Sequence, residues 1–468
     1  MKTEILNKIH SRTLVAGVVG LGYVGLPLAV EKAKAGFRTI GFDVQKSKVD
    51  AVNAGHNYIG DVVDSDLKSL VEAGRLTATS DFSFIKNVDF VAICVPTPLD
   101  KHQQPDISYV RDSAESIAKY LHKGVMVVLE STTYPGTTEE LIKPILEKSG
   151  LKCGEDFYLG FSPERVDPGN LIYKIKNTPK VVGAMGADAQ ECICAVYEAV
   201  LQNPVFRASS PAVAEMTKIL ENTYRNINIG LINELAILCN KMGIDLWEVI
   251  EAAKTKPFGF TPFYPGPGLG GHCIPLDPYY LSWKAREYGF HTSMIEASMM
   301  VNDRMPEYCM QRAGLIMGRR FSRSLNGAKI LQIGISYKQD IDDCRESPAI
   351  RVYEWLTNEG AEVTCYDPYV KEFRCCNGIV IPGTTSHNYD NAASGCCSSC
   401  VNKHKMESQM IQVEQELTAE MIEAADLVII TAAHTKVDYA LVQKHAKFIF
   451  DTKNVMKDIT PRDNIEVL

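Results

Sequence analysis

Hydrophobic residues near the start of this chain occur in short runs, and most runs are followed by a segment with helical spacing. The runs LVAGVV, FRTIGFDV, VDFVAICVPTP, GVMVVLESTTYPGTT and DFYLGFSPERV have the length of buried strands. Between them lie LPLAVEKAKAG, SYVRDSAESIAKYLHKG and TTEELIKPILEKSG, which have apolar residues on one helical face. This alternation predicts an α/β domain with a doubly wound sheet.

The pattern changes from about Ser209 to Met305, where strand-like runs fade. SPAVAEMTKILENTYRNINIGLINELAILCNKMGI keeps helical spacing throughout, Pro211 suits a first helical turn, and Gly243 suits a stop. DLWEVIEAAKTK and PYYLSWKAREYGF predict further helices. The long helix is expected either to pair with a second copy or to bridge two domains, and we favour the dimer.

Strand–helix alternation returns past residue 320. GAKILQIGISY, AEVTCYDPYV and ADLVIITAAHT predict strands, SPAIRVYEWLTNEG predicts a helix, and KFIFDTKNV is expected to be the closing strand. The predicted fold is therefore α/β, with two Rossmann-like doubly wound domains joined by a central helical domain that contains the long helix. We expect domain limits of 1–206, 207–318 and 319–468.

The segment from about 371 to 415 breaks this pattern and is rich in cysteine. Its cysteines are Cys375, Cys376, Cys396, Cys397 and Cys400. The CxxC at the end suggests zinc, but the spacing matches no common zinc module, and adjacent cysteines rarely bind one ion together. We predict a solvated insertion and no metal site.

Composition and charge narrow the classes of partner. The 468 residues are 46% hydrophobic and 23% charged, with a net charge of -8, which argues against a nucleic acid or an acidic membrane as the main partner. The chain shows neither a signal-peptide layout nor a run of 18 apolar residues. We expect a cytoplasmic protein with no membrane partner, whose fourteen cysteines are reduced thiols.

The first strand and helix enclose a glycine motif. Gly20, Gly22 and Gly25 have G-x-G-x-x-G spacing, and the next strand ends in Asp43. In dinucleotide-binding folds these glycines allow a tight turn, approach of the pyrophosphate and helix packing, and the helix N-terminus attracts phosphate. An acid at the position of Asp43 accepts hydrogen bonds from a ribose diol, which favours NAD over NADP.

The second α/β half lacks this motif. It has G-x-S-x-K at Gly334, Ser336 and Lys338 instead. We expect it to bind a different nucleotide, with Lys338 and Arg345 supplying positive charge for phosphate.

One cysteine, Cys273 in GLGGHCIPLDPYY, follows a glycine-rich stretch. It is either an ordinary buried thiol or a nucleophile on a flexible loop. Most other cysteines lie in apolar segments and are expected to be core residues; these are Cys94, Cys192, Cys194 and Cys239. His272 is adjacent to Cys273, but adjacent loop residues tend to point apart, so we assign it no catalytic role.

Taken together, the motifs resemble the nucleotide-sugar 6-dehydrogenases, the family of UDP-glucose dehydrogenase and its N-acetyl-sugar relatives. The resemblance covers roughly residues 13–370 and 418–460. It is carried by GVVGLGYVGLP, FDVQKSKV, ICVPTP, ESTTYPGTTEE, SPERVDPG, AEMTKILENTYRNINIGLINELA, GPGLGGHCIPLD and SYKQDIDDCRES. The sequence around Cys273 is most similar to that of enzymes that oxidise UDP-N-acetylglucosamine. The galacto and manno epimers of this sugar remain alternative substrates.

The resemblance implies a four-electron oxidation of the sugar C6 hydroxyl to a carboxylate. Cys273 would capture the intermediate aldehyde as a thiohemiacetal, and a second oxidation would leave a thioester for water to cleave. Lys218 would stabilise the oxyanion and Asn222 would lie beside it. Asp277 would orient or activate water, and Glu164 would assist hydrolysis.

Further site residues follow from the same resemblance. Thr132 would hold a water or a substrate hydroxyl. The expected NAD contacts are Gly20, Gly22, Tyr23, Val24, Gly25, Asp43, Lys48, Pro96, Thr97, Thr132 and Arg345. The expected substrate contacts are Glu164, Arg165, Lys218, Asn222, Arg225, Tyr264, Gly268, Gly270 and Lys338.

Considered without the resemblance, several of these residues have simpler interpretations. Lys218 and Asn222 fit polar positions on a solvated helix, and Glu164 fits a surface charge. The chain also departs from UDP-glucose dehydrogenases, which carry an arginine before the cysteine where Lys254 and Lys256 stand here.

The favoured hypothesis is an NAD-dependent UDP-N-acetylhexosamine 6-dehydrogenase that makes a uronic acid for a surface polysaccharide, as a homodimer or higher homo-oligomer. UDP-glucose and GDP-mannose dehydrogenases are the alternatives within the enzymes. A catalytically silent nucleotide-sugar-binding or metal-sensing protein is the alternative outside them. A two-electron dehydrogenase of the 3-hydroxyacid type would have no use for Cys273.

Overall fold

A computed structural model of the protein describes residues 1–100, 102–166, 170, 172–376 and 408–468. The chain divides into two compact units. The first comprises Met1–Pro98 with Pro105–Glu221, and the second comprises Leu99–Gln104 with Asn222–Leu468. Among the described residues, no helix combines the length and apolar character needed to cross a membrane.

The first unit alternates strands and helices along most of its length. Its elements are α1 Lys2–His10, β1 Val15–Val19, α2 Gly25–Lys34, β2 Arg38–Phe42, α3 Lys46–Asn53, α4 Asp64–Glu72, β3 Leu76–Thr79, β4 Phe90–Ile93, α5 Ser108–Ala118, β5 Met126–Leu129, α6 Lys143–Glu147, β6 Tyr158–Phe161, β7 Lys180–Ala184, α7 Ala187–Glu198 and β8 Val205–Ala208. A π-helical turn at Thr138–Ile142 leads into α6. The helix α8 Pro211–Met242 begins in this unit and ends in the second.

The strands of the first unit form one eight-stranded sheet in the order β3-β2-β1-β4-β5-β6-β7-β8. All neighbours are parallel except β6 and β7. Val19 at the end of β1 is in register with Phe42 of β2 and Ile93 of β4. The chain order therefore reverses between β1 and β4, which is the point where doubly wound sheets bind ligands. Strands β3, β7 and β8 were not predicted.

The second unit contains the remaining helices and a second sheet. Its elements are α9 Leu246–Lys254, α10 Cys273–Ala285, α11 Ser293–Phe321, β9 Lys329–Ile333, α12 Pro348–Asn358, β10 Glu362–Tyr366, β11 Glu372–Cys376, β12 Ser408–Gln412, α13 Ala419–Ala424, β13 Leu427–Ile430, α14 Tyr439–His445, β14 Ile449–Asp451 and β15 Ile465–Val467. The five-stranded sheet has the order β10-β9-β13-β14-β15, with all pairs parallel. The α/β class with two Rossmann-like sheets and a long helix is thus confirmed. The prediction that KFIFDTKNV closes the sheet is wrong, because β15 lies outside β14.

The 29-residue helix α11 was also missed by the sequence pattern. Its inner face mixes apolar Met305, Cys309 and Ala313 with buried Asn302 and Arg312. Because polar residues interrupt the apolar spacing, α11 lacks the contrast between faces that identifies an amphipathic helix.

Paired strands frame the predicted insertion. β11 and β12 are antiparallel, with Glu372 opposite Gln412 and Cys375 opposite Gln409. The sequence pattern did not predict this strand pair at the two ends of the insertion. Residues 377–407, including Cys396, Cys397 and Cys400, lie outside the described residues.

Candidate active site

The glycine motif shapes the turn between β1 and α2. Gly20 has φ +90, and a Cβ there would lie 2.6 Å from the Cys94 carbonyl oxygen. A Cβ on Gly25 would lie 1.7 Å from the Gly20 carbonyl oxygen. By contrast, a Cβ on Gly22 would meet nothing within 4 Å. The protein leaves this space open where a pyrophosphate approaches in dinucleotide-binding folds, so the turn fits NAD.

Asp43 follows β2 and is tied to the same turn. Its carboxylate accepts the Leu21 N–H at 2.8 Å and the Gln45 N–H at 2.9 Å. Lys48 Nζ lies 3.9 Å from the carboxylate. The acid is thereby fixed beside the turn, in a position to accept hydrogen bonds from a ribose.

The ends of β4 and β5 supply the other predicted cofactor contacts of the first unit. Pro96 is exposed, Thr97 is buried and Thr132 is half-buried. Tyr23 on the glycine turn is exposed, and Val24 is half-buried. Pro96 and Thr97 follow β4 beside the point where the chain order reverses.

Glu164 lies shortly after β6 and is not an ordinary surface charge. Only 15% of its side chain is exposed, and its Oε1 accepts the N–H groups of Arg165 and Val166 at 2.7 and 2.8 Å. Burial opposes ionisation, but Lys180, these two N–H groups and Lys218 hold the pKa of Glu164 below its ordinary value. Glu164 is therefore a carboxylate at neutral pH.

Arg165 contacts other residues of the first unit. Its guanidinium forms an ion pair with Glu221 at 2.7 Å and donates to the Pro179 carbonyl at 2.8 Å. This pairing orients the arginine within the first unit.

The long helix α8 carries Lys218 and Asn222 one turn apart, and both are buried. The interpretation of these residues as polar positions on a solvated helix is therefore wrong. In the second unit Asn222 Nδ2 donates to Asp277 Oδ2 at 2.5 Å, and Asp277 is only 1% exposed. This contact joins two residues that the sequence assigned to one site.

Cys273 is the first residue of α10 and is half-buried. A helix N-terminus favours a negatively charged group, and thiolates are among the groups it stabilises. Asp277 follows one turn later on the same helix. Cys273 thus has the setting of a nucleophile, in contrast to buried thiols such as Cys192 and Cys239.

The glycines before Cys273 are packed. Gly268 and Gly271 have φ of +129 and +78, and a Cβ on Gly270 would lie 2.4 Å from the Tyr337 Cβ. The Gly271 N–H donates to the Arg345 carbonyl at 3.0 Å. These glycines permit close packing against the second sheet's loops.

A chain of buried asparagines holds both ends of this loop, and the sequence pattern did not reveal it. Asn233 accepts the Gly266 N–H at 3.0 Å and donates to Asn302 at 2.9 Å. Asn302 donates to the Asn226 carbonyl at 3.1 Å, and Asn226 donates to the Ile274 carbonyl at 3.0 Å. The spacing of Asn222, Asn226 and Asn233 on one helix was the available signal.

The second sheet repeats the geometry of the first with one difference. Gly334 has φ +91, and the Ile335 N–H donates to Asp367 at 2.7 Å, as the Leu21 N–H does to Asp43. However, Asp367 is fully buried and also bonds His434 Nε2 at 3.0 Å.

The loop after Gly334 carries the predicted phosphate-binding cations. Lys338 is half-buried. Arg345 forms an ion pair with Asp343 at 2.6 Å.

The remaining predicted contacts lie elsewhere on the second unit. Arg225 is exposed on α8, and Tyr264 stacks on Trp247 with ring centroids 5.9 Å apart. Of the lysines that replace the family's arginine, Lys254 pairs with Glu251 at 3.2 Å and Lys256 lies 5.2 Å from the Phe258 ring centroid. His272 caps the start of α10 without a side-chain capping hydrogen bond.

Comparison with known families gives three successive matches. Residues 15–201 match the NAD binding domain of the UDP-glucose/GDP-mannose dehydrogenase family, residues 212–304 its central domain, and residues 331–458 its UDP binding domain.

Individual relatives cover most of the chain. A UDP-N-acetyl-D-glucosamine 6-dehydrogenase from Pseudomonas aeruginosa is 40% identical over 81% of this chain and 89% of its own length. One from Salmonella typhi is 37% identical over 80% and 87%. The solved structure of a UDP-D-ManNAc dehydrogenase from Pyrococcus horikoshii superposes with a TM-score of 0.80 at 29% identity, covering 97% of this chain and 98% of that one.

Proposed function

Because this chain belongs to the UDP-glucose/GDP-mannose dehydrogenase family and is an NAD-dependent nucleotide-sugar dehydrogenase, we propose that it oxidises the C6 hydroxyl of a UDP-N-acetylhexosamine to the uronate. UDP-N-acetylglucosamine is the favoured substrate. The enzyme would act in the cytoplasm, and its product would be used to build a surface polysaccharide. The observation that carries this proposal is the setting of Cys273, at the start of α10 with the Asn222–Asp277 pair one turn away.

Two observations support an N-acetyl sugar over glucose. The relatives named above act on UDP-N-acetylglucosamine or UDP-N-acetylmannosamine according to their names. In addition, the stretch before Cys273 lacks the arginine expected in UDP-glucose dehydrogenases, and its lysines have local partners.

The first half of the proposed reaction makes and captures an aldehyde. Bound NAD⁺ is the hydride acceptor in both oxidations. Lys218 stabilises the negative charge that develops on the C6 oxygen, and the Cys273 thiolate adds to the aldehyde carbon to give a thiohemiacetal. The covalent bond keeps the aldehyde from escaping before it is oxidised to a thioester.

The second half releases the product by hydrolysis. A water oriented by Asp277 and Thr132 attacks the thioester carbonyl, the C–S bond breaks, and the thiolate of Cys273 leaves. Glu164 accepts the proton from water, which its ionised state permits. The buried Asn222 holds Asp277 so that one carboxylate oxygen has a fixed direction.

The remaining assignments are also part of the proposal. Residues 1–206 bind NAD, residues 319–468 bind the UDP moiety, and residues 207–318 supply Cys273 and the dimer contact. Arg165, Arg225, Tyr264, Lys338 and the loop glycines are assigned to the substrate, and Arg345 to cofactor phosphate.

A substrate panel tests the sugar. The ratio kcat/KM is measured by NADH absorbance with UDP-N-acetylglucosamine, its galacto and manno epimers, UDP-glucose and GDP-mannose. We expect UDP-N-acetylglucosamine to exceed UDP-glucose by at least about tenfold, because the pocket would contact the acetamido group. A preference for UDP-glucose or GDP-mannose would overturn the assignment of the sugar while leaving the dehydrogenase class intact.

A further inference from the structure

Behind Glu164, the first unit buries a cluster of charged and polar side chains, which we call the Lys180 cluster; it consists of Lys32, Glu130, Glu164, Lys180 and Tyr197. Lys180 begins β7 and is 4% exposed, and Glu130, directly after β5, is 2% exposed. Lys180 Nζ donates to Glu130 Oε2 at 2.7 Å and to Glu164 Oε2 at 3.4 Å. One ammonium group therefore joins a fully buried carboxylate to the carboxylate assigned to hydrolysis.

We propose that Lys180 is a positioning residue, which fixes Glu164 in place and in its ionised state for cleavage of the Cys273 thioester. The inference rests on the proposed function, because it concerns the residue that takes the proton from water. Lys180 was not among the predicted site residues, because a lysine at the start of a strand gives no sequence signal of its own.

Lys180 and Glu164 are each held by more than one hydrogen bond. Glu130 anchors Lys180 at 2.7 Å, and the Tyr197 hydroxyl donates to the other oxygen of Glu130. Because Glu130 holds the Lys180 ammonium group, this group cannot move together with the Glu164 side chain. The two backbone N–H groups hold Oε1 of Glu164 while Lys180 faces Oε2. Both oxygens of the carboxylate thus have fixed directions.

The charge of Lys180 also favours the ionised form of Glu164. Burial alone would favour the protonated carboxyl of Glu164, and Lys180 is the largest of the influences that lower its pKa; the Arg165 and Val166 N–H groups and Lys218 follow. The other titratable groups of the region are Lys32, Cys94, Glu130 and Tyr197. The pKa of the Cys94 thiol is raised well above its ordinary value by burial, and that of Tyr197 likewise. Both are neutral, so they do not replace the charge of Lys180.

The chemical consequence follows from the balance of the hydrolysis step. Water adds to the thioester carbon, its proton passes to Glu164, and the C–S bond breaks to release Cys273 as thiolate. A protonated Glu164 cannot accept that proton. Loss of Lys180 should therefore slow hydrolysis most at low pH, where the Glu164 carboxyl would be protonated. The acyl-enzyme on Cys273 should then accumulate.

The test uses the full-length enzyme with NAD⁺ and the UDP-sugar that wild type turns over. The variants are Lys180→Met, Lys180→Arg, and the double variant Glu130→Gln/Lys180→Met, which removes one buried charge of each sign and keeps the cluster balanced. Lys32→Met is the matched control, because Lys32 lies in the same cluster over the rings of Phe90 and Tyr197 but donates no hydrogen bond to Glu164. Glu164→Gln is the reference for blocked hydrolysis.

Two readouts separate positioning from a general loss of structure. The steady-state rate is measured from about pH 6 to about pH 9, and the acyl-enzyme is measured by mass spectrometry of the acid-quenched Cys273 peptide. We expect the Lys180→Met and double variants to lose about tenfold or more relative to wild type near pH 6, with a smaller loss near pH 9. Near pH 6 they should accumulate acyl-enzyme as Glu164→Gln does. Lys180→Arg and Lys32→Met should keep the wild-type profile.

Opposite results would overturn the inference. If the double variant has a profile parallel to wild type and no acyl-enzyme, Lys180 does not act through Glu164, whether or not the single variant folds. If Glu164→Gln itself hydrolyses the thioester at the wild-type rate, the inference fails together with the proposed role of Glu164. Failure of the proposed function is seen separately, as absence of NADH formation by wild type with every UDP- and GDP-sugar.

Discussion

Two aspartates, Asp43 and Asp367, hold equivalent places: Asp43 follows β2 and Asp367 follows β10. Each accepts an N–H from the loop after the neighbouring strand, that of Leu21 after β1 and that of Ile335 after β9. Asp43 is 7% exposed, whereas Asp367 is fully buried and bonded to His434. A carboxylate with no exposed surface cannot receive a ribose diol, so only the first sheet keeps the feature typical of NAD recognition.

Lys32 is an unfavourably placed charge. It is fully buried, its Nζ has no hydrogen-bond partner, and burial lowers its pKa from 10.5 to about 8 despite the nearby Glu130. Below about pH 8 both the folded and the unfolded protein carry the proton, so the full burial penalty is present. Between that pH and 10.5 the unfolded chain binds more protons, so stability rises with pH.

We therefore expect Lys32→Met to stabilise the protein by roughly 1–3 kcal/mol near neutral pH. The gain should shrink as pH rises from about 8 towards 10.5, because the folded lysine is then neutral, and it should be smallest above 10.5, where the lysine is neutral in both states. Thermal unfolding midpoints of wild type and variant across this range provide the measurement. Lys34→Met, on the exposed side of the same helix, is the control and should give no such gain. A gain that does not depend on pH would contradict the explanation.

Residues differ in how much of their role a sequence reveals. Gly20 and Gly25 were predictable because backbone geometry restricts the residue type at each place, and Gly22 because its spacing from them completes the motif. Lys180 and Asn302 were not, because their roles depend on contacts with residues far away in the chain. A tertiary contact of this kind leaves no local periodicity.

At the scale of elements, the loop before Cys273 is held at both ends from two helices. Asn233 of α8 binds Gly266, and Asn226 of the same helix binds Ile274. Asn302 of α11 joins these two asparagines. The nucleophile is thus fixed by a buried polar network, in which each member depends on the others.

Asn233→Leu should remove the hydrogen bond to the loop and leave a buried N–H without a partner. We expect a stability loss of about 1–3 kcal/mol and a fall in kcat larger than any rise in KM, since the loop leads directly into Cys273 at the start of α10. The rate at which iodoacetamide alkylates Cys273 should change together with kcat. The control is Asn228→Leu, whose side chain bonds only within its own helix. Equal effects of the two substitutions would argue against a specific role for the network.

Helices and strands were predictable from the sequence where they are buried on one face or on all sides. The strands β1, β4 and β5 are continuous apolar runs, and α8 keeps its spacing through 32 residues. Helix α11 was lost because Asn302 and Arg312 are buried in it. The close packing of the glycine loop was not predictable, because it depends on the distant Tyr337.

At the scale of the whole molecule, α8 presents a row of exposed apolar residues. Tyr224, Leu231 and Leu238 are spaced seven residues apart and are 50%, 53% and 48% exposed, and Met242 continues the row. Apolar rows of this kind usually mark an interface. They support the proposed homodimer, with a second copy of the helix as the partner.

Leu231→Lys should therefore weaken the dimer, because a charge would be buried in its centre. Light scattering after size exclusion should show a shift towards monomer at micromolar concentration, and activity should fall with it. Leu315→Lys places the same change on an equally exposed apolar residue of α11 and should leave the assembly intact. A monomeric wild type, or a dimeric Leu231→Lys protein, would contradict the proposed interface.

The central claim is that one site oxidises the sugar twice with Cys273 as its covalent anchor. The direct measurement is NADH formed per UDP-N-acetylglucosamine consumed, with wild type, Cys273→Ser and the control Cys153→Ser, which changes another half-buried thiol. We expect two NADH per sugar for wild type and for Cys153→Ser, and stalled turnover for Cys273→Ser. One NADH per sugar, or a fully active Cys273→Ser enzyme, would contradict the account and return Cys273 to the ordinary thiols.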